Sequence, residues 1–223
     1  RSRSGNGAHA WFFFAEPVPA VAARKFGCFL ITETMARRHQ LSMESYDRLF
    51  PNQDTLPKGG FGNLIALPLQ RHARDAGNSV FVDKTFKPWP DQWTFLESVK
   101  RIDSTVVQTF ADQASRSGQV IGVRLSDTQD KDQQTPWNRP PSRRQNKVVI
   151  TAPLPSKVKA VLSQRLFIEK AGLPSPLINQ LKRLAAFQNP EFYKKQSMRL
   201  STALTPRVIS CAEDLAEYIA LPR

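Results

Sequence analysis

"RSRSGNGAHAWFFFAEPVPA" (residues 1–20) is the stretch whose reading decides the rest. A basic, glycine-containing loop runs straight into an aromatic, apolar stretch that ends at proline. Gly5 and Gly7 let the backbone approach a ligand closely and turn N–H groups toward an anion. Ser4 adds a hydroxyl, Arg1 and Arg3 add charge, and His9 stands at the start of the apolar run. Such a set suits a triphosphate. It lacks the Lys-Ser/Thr of a Walker A loop, and a P-loop or dinucleotide fingerprint runs strand, loop, helix rather than loop, strand. A hairpin turn ahead of a strand accounts for the Gly-x-Gly equally well.

Working outward, "HAWFFFAE" (9–16) is predicted as a short buried strand. The apolar spacing of residues 17–40 predicts a helix that opens at proline and closes on Arg37, Arg38 and His39. Further strands are expected at 45–51, 63–70 and 79–83, and a helix over 91–103 with Asp91 as its N-cap. The pattern weakens from 104, and 126–147 is polar and proline-containing, which predicts a flexible linker. Extended backbone is expected from Lys147, then a helix over 175–187 with Leu177, Ile178, Leu181, Leu184 and Ala185 on one face. A strand and a capped turn are expected over 206–215. The fold class is therefore α/β or α+β, divided as 1–103, a helix end and linker over 104–147, and a smaller, mostly helical basic module over 148–223.

Charge restricts the partners. The chain of 223 residues carries 32 Lys and Arg against 19 Asp and Glu, a net charge of +13. The excess is +4 over 1–103, +3 over 104–147 and +6 over 148–223. A balance this basic points to an anionic partner, nucleic acid first. Hydrophobic content of 40% predicts a folded chain. No apolar run approaches the roughly 20 residues of a membrane span, and the opening is too polar for a signal peptide, so a cytoplasmic protein is expected. The opening Arg and the apolar close "EYIALPR" predict a fragment of a longer protein. Cys28 and Cys211 have no metal-ligand spacing and are expected as two buried thiols.

The next candidate site is "SYDRLFPNQDTLPKGGFGNLIALPLQ" (45–70). A carboxylate on a strand, Asp47, suits Mg²⁺ or Mn²⁺, which take oxygen ligands together with substrate phosphates. A surface Asp beside Arg48 is the plainer alternative. Asp54 reads as a turn residue. Lys58 with Gly59 and Gly60 could cradle phosphate, though a tight turn into a core strand is the favoured reading. Phe12, Phe13 and Phe14 read as core packing, with Trp11 the aromatic available to a base. Lys182, Arg183, Lys194, Lys195 and Arg199 surround "LAAFQNPEFY", an interleaving of basic and aromatic residues that suits single-stranded DNA. A solvated helix face explains them as well.

Taken together, "SGNGAHAWFFF" and "YDRLFPNQDTLPKGGFGNLIALPLQ" resemble the archaeo-eukaryotic primase superfamily, in the branch found in TOTE conflict systems. "AGLPSPLINQLKRLAAFQNPEFYKKQSMRLS" and "PRVISCAEDLAEYIALPR" resemble the segment joining that primase to a helicase. The resemblance implies part of an RRM-like primase-polymerase core, a nucleotidyltransferase using Mg²⁺ or Mn²⁺ in a two-metal mechanism. Its small-x-His motif, which contacts the incoming nucleotide, falls on Gly7, Ala8 and His9, with Ser4 and Gly5 in the preceding loop. Its metal-binding acid falls on Asp47, with Asp54 the fallback. A further pair of carboxylates upstream of the loop has no counterpart here, so an active parent protein and an inactive fragment are expected. The implied partners are nucleoside triphosphates, a single-stranded DNA template or primer-template, and a fused or associated helicase. The alternative is a non-catalytic nucleic-acid-binding module with a decayed primase fold.

Overall fold

The longest helix, α1 (Ala20–Arg37), begins where Pro19 fixes the backbone and ends at Arg37, inside the expected span of 17–40. The computed structural model describes residues 1–46, 48–51, 54, 59, 65–117, 120, 150–202 and 204–223. Five further helices follow: α2 (Arg71–Asp75), α3 (Gln92–Ser98), α4 (Ser104–Ser117), α5 (Ser175–Leu184) and α6 (Pro190–Ser197). Six short strands lie beyond residue 159: β1 (Ala160–Leu162), β2 (Arg165–Glu169), β3 (Ala186–Gln188), β4 (Val208–Ser210), β5 (Glu213–Asp214) and β6 (Tyr218–Pro222). Helices and antiparallel sheets coexist, so the fold is α+β. The segment read as a mostly helical module carries both sheets.

Two units divide the chain, Arg1–Val18 with Leu64–Val107 and Pro19–Asn63 with Gln108–Arg223. In the first, regular strands give way to stitched loops. Among the described residues, 9–16 pair at Phe14, which bridges Ile102 in parallel. The Ile102 amide donates to Phe13 O at 2.7 Å, and the Ala15 amide to Ile102 O at 2.9 Å. Ile102 is free to pair because the helix expected over 91–103 stops at Ser98. Asp103 then accepts the Thr105 amide at 2.8 Å, at the start of the next helix. Asp91 caps α3 as expected, accepting the Trp93 and Thr94 amides. The strand expected over 79–83 is reduced to one bridge, Val82 to Pro88. The described part of 63–70 is coil and turn, with Leu69 in the left-handed region.

In the second unit a four-stranded sheet runs in the order β1-β2-β6-β5, antiparallel throughout, with Ile168 opposite Ile219 and Phe167 opposite Ala220. Its buried side chains Ile168, Ile219 and Leu221 form one core with Leu173 and Ile178, the latter on α5. Helix α5 deviates from its expected face at one position. Leu184 is 78% exposed, while Ile178 and Lys182, one turn apart, are buried. A second core gathers Cys28 and Met35 of α1 with Met43, Tyr46, Ala114 and Val120. Tyr46 ends a single 3-10 turn, Met43–Tyr46, where a strand was expected to start. Its hydroxyl lies 2.7 Å from Thr32 Oγ1, so this polar group is satisfied inside the core. Helix α4 occupies part of the region where sequence periodicity weakens. It buries Val107, Ala111 and Ala114, and its half-buried Phe110 packs on Phe26 and Phe29 at 6.0 and 5.1 Å. The 126–147 linker lies outside the described residues. Cys28 is buried and Cys211 exposed, so only one of the two thiols is in a core.

Ile219 is fully enclosed, and its truncation leaves a cavity in the sheet core. Ile219→Ala is expected to cost about 2–5 kcal/mol, read by urea unfolding followed by far-UV circular dichroism. Leu162→Ala, at a 64% exposed position on edge strand β1, is expected to stay within about 0.5 kcal/mol.

Candidate functional site

The opening loop is closed by its own backbone. The Ser2 amide donates to Gly7 O at 2.7 Å, the Gly5 amide to Ser2 O at 3.1 Å, and the Gly7 amide to Ser2 Oγ at 3.1 Å. Ser4 Oγ lies 3.3 Å from Ser2 Oγ. Gly5 sits at φ 82°, and a Cβ there would fall 2.7 Å from Asn78 Oδ1. Glycine is required at position 5 by conformation and by space. Position 7 is open, the nearest atom to a Cβ being Ser2 Oγ at 4.0 Å.

The loop is anchored within its own unit. The Arg1 main-chain nitrogen donates to Val80 O at 2.8 Å, and the Ser79 amide to Ser2 O at 3.3 Å. The Arg1 guanidinium donates to Gly77 O at 3.1 Å and Phe86 O at 3.2 Å. These bonds leave Arg3, Ser4, Asn6, Ala8 and His9 exposed. The amides of Asn6, Ala8 and His9 take no partner among the described residues. Amides without a partner in exposed residues, beside an arginine and a histidine, suit an anionic oxygen cluster.

The remaining predicted site residues have other surroundings. Asp47 lies outside the described residues, as do Lys58 and Gly60. Asp54 belongs to the second unit, where Arg24 grips its carboxylate through Nε and through Nη2 at 3.0 Å, and Gln196 donates to it at 3.1 Å. A carboxylate so occupied is an ion-pair partner. Among the described residues no group of three His, Cys, Asp or Glu could hold a metal ion. Asp47, the acid that the resemblance assigns to Mg²⁺ or Mn²⁺, is not among the described residues.

The five basic residues of the C-terminal half separate. Lys182 is buried, its side chain 5% exposed, and its ammonium donates to Asp214 and to His39 O at 2.5 Å. It cannot serve a phosphate in solution. Lys195 bonds Thr205 Oγ1 and Glu191, each at 2.7 Å. Arg183 is half-buried, and desolvation holds its pKa below the ordinary value. Lys194 and Arg199 are exposed. The aromatic triplet is not all core either, since Phe12 is exposed.

Sequence reading passed over a second feature of the first unit. In "KTFKPWPDQW" (84–93), Phe86, Trp89 and Trp93 are exposed. The signal was present as lysines alternating with aromatics, inside a segment read only as the approach to and start of a helix over 91–103.

Residues 1–110 match the family model described as the TOTE conflict system, archaeo-eukaryotic primase domain. The match covers just under half of the chain and includes the Gly5–His9 loop, which therefore lies in a segment similar to a primase domain of a nucleotidyltransferase superfamily. Searches of the curated proteins and of the solved structures found no match. No described helix is long and apolar enough to cross a membrane.

Two outcomes follow for these residues. In the primase-family loop, Gly5→Ala is expected to destabilise the first unit by about 1–2 kcal/mol from the left-handed backbone alone. Gly7→Ala is expected to be near neutral, both read by tryptophan fluorescence during urea unfolding. At Asp214, burial works to raise the carboxyl pKa, but hydrogen bonds from Lys182 and Lys170 outweigh it and hold the group below its ordinary value. Its stabilisation is therefore complete above the unfolded carboxylate pKa of about 3.9 and is lost as pH falls through the lower folded value. Asp214→Asn is expected to cost about 1–3 kcal/mol at neutral pH, discounted for the partial exposure of the carboxylate. It should also flatten the acid limb of the stability curve measured by thermal unfolding from pH 7 to 2.

Proposed function

We propose that the chain is part of a template-directed DNA primase-polymerase, with the Ser4–His9 loop as its triphosphate site. The observation that carries this reading is the closed turn inside the segment that matches the primase family model, which leaves Asn6, Ala8 and His9 exposed with amides that take no partner among the described residues. In the reaction, the 3′ hydroxyl of a primer or first nucleotide attacks the α-phosphorus of a nucleoside triphosphate. The bond to the β-phosphate oxygen breaks and pyrophosphate leaves. The loop amides and Arg3 would hold the β- and γ-phosphates, and their positive ends favour the charge that builds on the departing pyrophosphate. His9 would donate to a phosphate oxygen and fix the triphosphate against the loop.

Asp47 is the acid that this reading assigns to Mg²⁺ or Mn²⁺, with single-stranded DNA as template. A helicase, fused or associated, is the partner suggested by the resemblance of residues 171–201 and 206–223 to a primase-helicase junction. The commitment of Asp54 to Arg24 and Gln196 favours the second reading, a non-catalytic binding module, to the extent that it removes one acid from catalysis.

Titration of a fluorescent nucleoside triphosphate into the wild-type chain and His9→Ala separates these ideas from a merely structural loop. A weakening of about tenfold or more in the variant, with unchanged thermal stability, is expected. Equal affinity in both proteins overturns the triphosphate assignment. Labelled-nucleotide incorporation on a single-stranded template by the parent protein, extended upstream to include the carboxylate pair, and its loss in Asp47→Ala distinguish polymerase from binding module.

A further inference from the structure

Residues 84–93 present aromatic rings to solvent on a backbone that is fixed from inside. Asp83 Oδ1 accepts the Thr85 amide at 2.7 Å, the Thr85 hydroxyl at 2.7 Å and the Lys87 amide at 3.0 Å. The Gln92 side chain closes the other end, accepting the Phe81 amide at 2.6 Å and donating to Phe81 O at 3.0 Å and Trp89 O at 2.8 Å. Beneath the segment, Phe95 stacks on Trp89 at 4.9 Å and contacts Phe81 at 5.3 Å. The turn holds Phe86 in the left-handed region at φ 63°, a strained conformation for a bulky side chain. Even so, Phe86 is 62% exposed and Trp93 61% exposed. The hydrogen bonds fix the backbone that carries these rings.

The charge of the segment selects the occupant. Lys84 and Lys87 flank Phe86 and are exposed, and residues 84–90 contain no acid. The two neighbouring carboxylates, Asp83 and Asp91, are turned to amides of their own turns. A protein partner for exposed aromatics needs only an apolar surface. Lysines alternating with aromatic rings instead match a chain that alternates phosphates with flat bases.

We infer that Lys84–Trp93 is a stacking platform for single-stranded nucleic acid, with bases on Phe86 and Trp93 and phosphates on Lys84 and Lys87. This rests on the primase reading for the role of the strand as template or primer, but the binding itself does not require it. Arg1 connects the platform to the proposed triphosphate loop, since it belongs to the loop and its guanidinium donates to Phe86 O. A strand lying on the platform would thus be fixed to the same unit as the loop.

The test is fluorescence anisotropy of a labelled 20-nucleotide oligo-dT with the 223-residue chain over a range of KCl. Phe86→Ala and Trp93→Ala are each expected to weaken binding by about five- to a hundredfold. Lys84→Gln and Lys87→Gln should each reduce the slope of log affinity against log salt by about 0.7. All four positions are exposed, and circular dichroism should show an unchanged fold. Aromatic variants that bind as tightly as wild type overturn the platform, as does a wild type with no affinity for the oligonucleotide. Unchanged oligonucleotide binding with an altered sedimentation coefficient would make the surface a protein interface, which also overturns it. Triphosphate affinity, measured on wild type and His9→Ala, reports separately on the loop: equal affinity in those two overturns the loop reading alone, and unchanged oligonucleotide binding in Phe86→Ala and Trp93→Ala overturns the platform alone.

Discussion

The second unit is organised around two arginines that its core has to accommodate. Arg24 lies on the buried face of α1, and Arg207, just ahead of β4, is 1% exposed. Isolated charges in such places are expensive, so each needs its own solution. Arg24 has Asp54. Burial works to lower its pKa, but the hydrogen bond and charge of Asp54 reverse the effect. Arg207 lies over the Phe192 ring, 4.9 Å from its centre, with Nη1 3.9 Å from the Cys28 sulfur. Desolvation leaves its pKa below the ordinary value. Burial likewise pushes the Cys28 thiol up, against the pull of both arginines, so this cysteine is a packing residue and not a reactive thiol. These contacts bring α1, α6, the approach to β4 and residue 54 to one place. Asp54 is structural for the same reason.

A smaller version of this arrangement sits at the edge of the sheet. Lys182 on α5 and Lys170 after β2 share the Asp214 carboxylate on β5. Lys182 also reaches His39 O, just past the end of α1. One acid serves two lysines, so the loss of one carboxylate would leave two cations poorly compensated.

The first unit has a different character. It has little regular pairing, and its segments are joined by side chains that satisfy backbone groups: Arg1 on Gly77 and Phe86, Asp83 on Thr85 and Lys87, and Gln92 on Phe81 and Trp89. Loops held this way can keep amides and rings exposed without collapsing onto them. A triphosphate loop and a stacking surface both demand that condition. The primase-family match covers this unit's described residues, including the loop that faces solvent.

The sequence by itself determined whatever depends on short range. A proline opening and a basic close placed α1 within 17–40, Asp91 capped α3, and "SGNGAH" was legible as a glycine-containing loop ahead of His9. Those features come from a few adjacent residues and their local geometry. Only the tertiary structure decided which polar groups were consumed. Lys182 looked like a surface cation and is buried, because Asp214, 32 residues away, neutralises it there. Asp54 looked like a turn residue or a metal ligand and is held by Arg24 and Gln196. Phe12, Phe86 and Trp93 carried a hydropathy that predicts burial, yet they are exposed, since hydropathy measures a tendency and the fold supplies the available partners. A residue's type fixes what it can bind. The distant residue that reaches it first decides what it does bind.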